Sequence, residues 1–228
     1  MKSELFDYPI SAVFGRIVPK SKIYEHVHPG KALKELFVGQ VDQIVWKYKL
    51  APETVNLRQT PFVPEIEIFT IILKHGELKH DVLRCIDQAI AFPLLFELLY
   101  GDKCRVIAAY KRPSEADAAK WVVSDYFESG WLPVETPRSP LPVVLNLEAL
   151  YEQLLAPLMP YPARQGERLQ QRVERMSMIR VKQREVEQCE ARLRKEKQFN
   201  RKVEINAELR ILKQEIATLT RQEALAIP

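Results

Sequence analysis

Beyond Ala163 the apolar positions thin to a narrow stripe. Met176, Ile179, Val186, Cys189 and Leu193 follow one another at intervals of three, four or seven residues, and Val203, Leu209, Leu212, Ile216 and Leu219 form a second series. The residues between them are mostly Glu, Arg, Lys and Gln, which favour helix. The pattern predicts charged helices with a coiled-coil seam. The two seams do not share a register. Between them Lys195 to Lys202 holds one apolar residue, Phe199, and an asparagine, Asn200, suited to ending a helix. A single helix of about sixty residues with so thin a stripe needs a partner along its length. Two arrangements satisfy this. One is an antiparallel hairpin turning near Phe199–Asn200, in which each seam covers the other. The other is a continuous helix in an oligomeric coiled coil. The hairpin is preferred because it needs no second chain.

The front of the chain patterns differently. Leu33, Leu36, Phe37, Gln40, Val41, Ile44, Val45 and Tyr48 fit a helix over Lys31 to Leu50, broken by Pro52. Thr54 to Leu57 reads as a short strand. Glu65 to Leu73 alternates and is rich in β-branched residues, so it reads as a strand. Lys79 to Ala91 carries Val82, Leu83, Ile86, Ala89 and Ile90 at helical spacing. Pro93 to Tyr100 and Lys103 to Tyr110 flank Gly101-Asp102, which predicts a β-hairpin. Trp121 to Phe127 adds a strand, Leu132 to Pro142 is a stiff Pro-rich connection, and Leu145 to Leu158 is a short helix. The expected fold class is α+β, a mainly antiparallel sheet with packed helices, followed by the C-terminal antiparallel helical hairpin. The expected divisions are 1–158, 163–222 and a tail at 223–228.

Composition sharpens this division. From Arg164 onward sixteen Lys and Arg face ten Asp and Glu, a net +6, whereas eighteen against twenty leave residues 1–163 at −2. Fifteen of the sixteen prolines lie at or before Pro162, so the basic part is free to form long helices. Only seven glycines are present, too few for a Gly-rich phosphate loop or a dinucleotide-binding fingerprint. No apolar run approaches the roughly 18–20 residues of a membrane span, and Met1 to Leu5 has no secretory h-region. Three scattered cysteines, Cys85, Cys104 and Cys189, suit reduced thiols and a cytoplasmic location.

Several separated segments resemble a known family. They are Trp46 to Leu57, Glu65 to Phe69, Ile86 to Pro93, Ala108 to Lys111 and Lys195 to Asn206. In this order they resemble the bacterial domain-of-unknown-function family 4391, over nearly the whole chain. The resemblance supplies no catalytic residues and no cofactor. It implies an accessory protein beside helicases and DNA methyltransferases in restriction or phage-defence loci.

Candidate chemistry is sparse. His26 and His28 sit before Pro29-Gly30, and His75, His80 and Cys85 lie around a turn; neither set has the spacing of a metal site, and no Cys-x-x-Cys occurs. Ser11, Ser114 and Ser124 have no histidine nearby in sequence, and Cys85 and Cys104 read as buried structural thiols. Glu65 and Glu67 share one strand face, with Asp42 on the preceding helix as a third carboxylate. A solvated strand face is the preferred reading; a divergent metal-dependent nuclease site is the alternative. The strongest binding candidates are Arg192, Arg194, Lys195, Lys197, Arg201 and Lys202, with Phe199 among them. Gathered at a hairpin tip they suit DNA phosphates or an acidic protein surface; the plainer reading, which charge runs on a coiled coil ordinarily bear, is a solvated face. The expectation is a non-catalytic accessory subunit that needs no metal or cofactor. It docks on a helicase or methyltransferase-type protein, with DNA as a further partner of the arm. A homo-oligomeric coiled-coil protein is the remaining alternative.

Overall fold

In chain order the front of the molecule runs β1 (Phe6–Asp7), β2 (Val13–Ile17), α1 (Lys20–Val27), α2 (Lys31–Gln40), β3 (Val41–Leu50), α3 (Pro52–Val55), β4 (Ile66–Leu73) and α4 (His80–Ala89). It continues through β5 (Leu94–Tyr100), β6 (Lys103–Pro113), β7 (Trp121–Glu128), β8 (Leu132–Pro133), β9 (Ser139–Pro140) and α5 (Leu147–Leu155). Then come α6 (Leu169–Lys195) and α7 (Phe199–Thr220). This computed structural model describes residues 4–117 and 120–221. It divides into two units, Met1–Pro160 and Tyr161–Pro228. The expected tail at 223–228 lies outside the described residues.

The first unit is built on a seven-stranded sheet in the order β2-β3-β4-β5-β6-β7, with β8 also paired to β6. Within this sheet β4 and β5 run parallel, connected by α4, and its other described pairs are antiparallel; β1 and β9 form a separate parallel pair. Alternation along β4 sends Glu67, Phe69, Ile71 and Leu73 to one face. Phe69, Ile71 and Leu73 there join Ile23, Phe37, Val82, Leu83 and Ile86 from α1, α2 and α4 in one buried cluster. On the opposite face α5 covers β6, where the Tyr151 hydroxyl donates to the Ala109 carbonyl (2.6 Å) and accepts from the Lys111 N–H (3.0 Å). The Pro-rich connection is anchored by Arg138, which donates to both carboxylate oxygens of buried Glu97 (2.8 and 3.0 Å).

Two expectations are corrected. The helix over Lys31 to Leu50 stops at Gln40, and the second half is β3. A register shift between Val41 and Gln43 places the buried Val41 and Ile44 three residues apart, the interval of a helical turn. The bulge therefore imitates helical periodicity in a segment whose β-branched and aromatic residues favour strand. Thr54 to Leu57 is likewise not a strand. Pro52 starts a single helical turn, the Thr54 hydroxyl donates to the Lys49 carbonyl (2.7 Å), and Asn56 ends it at φ 53°.

The second unit is an antiparallel helical hairpin. Ion pairs Lys182–Glu215 (3.0 Å), Glu190–Lys213 (2.8 Å) and Arg192–Glu208 (2.6 Å) fix the direction, since one series rises as the other falls. Cys189, Leu209 and Leu212 form its buried seam, flanked by Val186, Leu193 and Ile205. Arginines close the open end: Arg164 and Arg175 donate to the last carbonyls of α7, at Thr218 and Leu219. The turn occupies Glu196 to Gln198, slightly before the expected point, so Phe199 is the first residue of α7.

Candidate functional site

The hairpin tip collects every basic residue singled out above. Arg192, Arg194 and Lys195 occupy the last turn of α6, Lys197 lies in the turn, and Arg201 and Lys202 lie in the first turn of α7. Six cations and one acid thus share eleven residues. The acid, Glu196, is committed to the turn: its Oε1 accepts from the N–H groups of Lys197 (2.7 Å) and Gln198 (2.8 Å), which lowers its pKa. Arg192 is paired with Glu208. Arg194, Lys195, Lys197, Arg201 and Lys202 have no ion-pair partner among the described residues. Phe199 is 78 % exposed, with exposed Val203 one turn further on. A shallow cleft of about 410 Å³ lies between the two helix ends, lined in part by Arg192, Lys195 and Arg201. Cations at the start of α7 also oppose the helix dipole, so this arrangement costs the helix stability instead of supporting it.

The sheet carries a second candidate. Glu67 is not solvated as expected; it is 2 % exposed. Its Oε2 is fully buried and has no hydrogen-bond partner among the described residues. Burial, followed by the hydrogen bond and repulsion from Glu65, pushes its pKa up to about 8, against the attraction of Lys111 and Lys49. Glu65 sits at the mouth of β4 and pairs with Lys49 (2.8 Å). Asp42 does not join them. It is exposed at the start of β3, opposite the Ile72–Leu73 end of β4, five to six residues from Glu67 or about 18 Å along the strand. The three carboxylates therefore do not converge.

Glu67 instead forms the polar floor of an aromatic cleft of about 470 Å³, between β2, α1, β3, β4 and the segment after α4. Arg16, Trp46 and Phe69 lie side by side across β2, β3 and β4. Phe14 packs on Trp46 with centroids 4.0 Å apart. Gly15, at φ 65°, allows the irregularity in β2 that presents Phe14 and Arg16 to the cleft. Residues 89–92 form the opposite wall.

That wall is held by a buried network which sequence reasoning missed. The Lys111 side chain is fully buried, and its Nζ donates to the main-chain carbonyls of Asp87 and Ile90. The ammonium lies 3.5 Å from Asp87 Oδ1, and the Tyr126 hydroxyl donates to Asp87 Oδ2. Burial raises the Asp87 pKa and lowers that of Lys111, each opposed by attraction to the other. A signal was present: in β6 a lysine follows Ile107 and Ala109 on the inward parity. Trp46, Glu67, Phe69, Asp87 and Lys111 all belong to the segments that carry the family resemblance.

Other nucleophiles are engaged or deep. Cys85, Cys104 and Cys189 are unpaired and buried, as expected for the first two, and burial raises the thiol pKa of Cys85 and Cys104. The Ser11 hydroxyl donates to the Thr54 carbonyl (2.7 Å) and that of Ser124 to the Asp125 carbonyl (2.8 Å). Among the described residues no three His, Cys, Asp or Glu gather as a metal site, and no helix is long and apolar enough to cross a membrane.

The raised pKa of Glu67 has a stability consequence. The folded state holds this proton to about 8, the unfolded chain only to about 4.5. Its contribution is therefore intact below 4.5 and is lost as pH rises towards 8. Glu67→Gln removes the titration. The wild type is expected to lose roughly 2–3 kcal/mol relative to that variant between pH 5 and 7. Urea melts of both proteins across this range check it.

No curated protein and no solved structure matches the chain. The model of the domain of unknown function DUF4391 matches residues 6–216, most of the chain, including both candidate sites, and the chain belongs to that family.

Proposed function

We propose that the protein is a non-catalytic binding subunit of a bacterial restriction or phage-defence assembly, acting in the cytoplasm. Its hairpin arm contacts DNA phosphates, and its α+β unit docks on a helicase or methyltransferase-type partner. The observation that carries the DNA contact is the hairpin tip: five cations without ion-pair partners among the described residues, beside an exposed phenylalanine. Cationic side chains presented this way gain affinity by releasing counterions from the DNA. With six cations against one acid, residues 192–202 carry +5 of the net +6 found from Arg164 onward, so the surplus charge is local to the tip. Docking of the α+β unit is supported by exposed Ile10, Val143 and Leu145 near a surface cleft of about 640 Å³. The three unpaired thiols fit a reducing compartment.

The test is the salt dependence of duplex binding. With four to five phosphates neutralised, the logarithm of the association constant is expected to fall linearly with that of salt concentration, with slope about −4. Fluorescence anisotropy of a labelled duplex checks this. A slope near zero, or no binding at low salt, removes the DNA contact from the proposal.

A further inference from the structure

The cleft over Glu67 combines features that a structural cavity has no need of. A buried carboxyl oxygen without a partner costs stability and is ordinarily replaced or paired. Here Oε2 itself is fully buried, but the residue that bears it lines a space large enough for a small ligand, walled by aromatic rings on two sides. The wall formed by residues 89–92 is fixed by the Lys111 network, so the cleft is preformed. Its outer edge carries cations: exposed Arg16 from β2 and Lys22 from α1. Lys22 is shared with Glu25, while Arg16 lies over the Phe14 ring at 4.5 Å.

Glu65, held by Lys49, stands beside the Glu67 carboxyl and, with burial, favours its protonated form. A protonated Glu67 carboxyl that shares its proton with Glu65 leaves one oxygen as an acceptor for a ligand in the cleft. The matching ligand presents an N–H donor on a flat aromatic ring and carries negative charge at its outer end.

We propose that this cleft binds a nucleobase bearing an exocyclic amine, its ring against Phe14, Trp46 and Phe92, its amine on Glu67, and its phosphate towards Arg16 and Lys22. Adenine and cytosine have this edge. The same chemistry comes from a free nucleotide or from a base turned out of a single strand. The site is separate from the hairpin tip, and neither proposal depends on the other.

Isothermal titration calorimetry of the full chain with adenosine 5′-monophosphate tests it, with quenching of tryptophan fluorescence as a second readout. Adenosine monophosphate is expected to bind. The purine ribonucleoside monophosphate that lacks the amine is expected to bind at least tenfold more weakly, and ribose 5-phosphate not measurably. Glu67→Leu is expected to lose at least tenfold. Glu67→Gln is expected to stay within threefold, because its amide can donate to Glu65 and keep an acceptor in the cleft. Thermal melts confirm that both variants fold. Arg16→Glu reduces affinity for the nucleotide but not for adenosine. A single-stranded oligo-dA is assayed in the Lys197→Glu, Arg201→Glu, Lys202→Glu background, which excludes binding through the arm. Binding of the oligonucleotide without the mononucleotide identifies a strand as the source, and binding of both identifies the nucleotide itself. Equal binding of ribose 5-phosphate, an unchanged affinity in Glu67→Leu, or no binding of either adenine ligand overturns the proposal.

Discussion

Lys111→Met is expected to destabilise the α+β unit by about 3–5 kcal/mol, the usual cost of removing one partner from a buried ion pair. The wild-type ammonium has three oxygens around it: the Asp87 and Ile90 carbonyls at the end of α4, and the Asp87 carboxylate. Methionine fills a similar volume, so the loss is one of charge and hydrogen bonding, without a large cavity. Two helix-terminal carbonyls then lack a donor, and Asp87, 3 % exposed, keeps only Tyr126 among these partners. Its carboxyl then takes up a proton more readily, because the ammonium that opposed the effect of burial is gone. Asp87→Asn in the same chain is expected to recover part of the loss by removing the stranded charge. Lys103→Met, at an exposed position, is expected to stay within about 0.5 kcal/mol. Urea melts of the four proteins check the ordering. A loss in Lys111→Met no larger than in Lys103→Met contradicts the network.

The second large effect concerns binding and leaves stability aside. Reversing Lys197, Arg201 and Lys202 to glutamate turns six cations and one acid into three cations and four acids across the tip. Duplex affinity is expected to fall roughly a thousandfold, or to background, at moderate salt. The fold is expected to remain intact, because none of the three side chains has an ion-pair partner among the described residues. Acids in the first turn of α7 also suit the helix dipole better than the native cations do. Lys182 and Lys213 make the contrasting case. Each pairs across the hairpin with a glutamate, so their reversal strains the helix pair without touching the tip.

The legible parts of the chain were those whose local pattern agrees with their tertiary setting. The thin seams and strong helix formers after Ala163 predicted two helices covering each other, and Gly101-Asp102 between apolar runs marked the β5–β6 hairpin. The helix–strand junction at Gln40–Val41 was hidden by a bulge that restores a three-residue interval within a strand. The basic tip was readable from charge alone, because nearby residues in sequence meet there. The cleft was not. Arg16, Trp46 and Phe69 become neighbours only through strand register, and Lys111 reaches Asp87 across 24 residues. Glu67 looked like a solvated strand residue because polar alternation along one strand does not say which layers cover it. Burial of its face is decided by α1, α2 and α4, which lie elsewhere in sequence.

The most direct test of the binding-subunit reading is an anisotropy titration of a labelled duplex with the full chain, run with and without Mg²⁺, followed by electrophoresis of the recovered DNA. The expected result is salt-sensitive binding that is lost in the Lys197→Glu, Arg201→Glu, Lys202→Glu variant, with the duplex intact in both conditions. Mg²⁺-dependent cleavage abolished by Glu67→Ala, or binding unaffected by charge reversal at the tip, would contradict it.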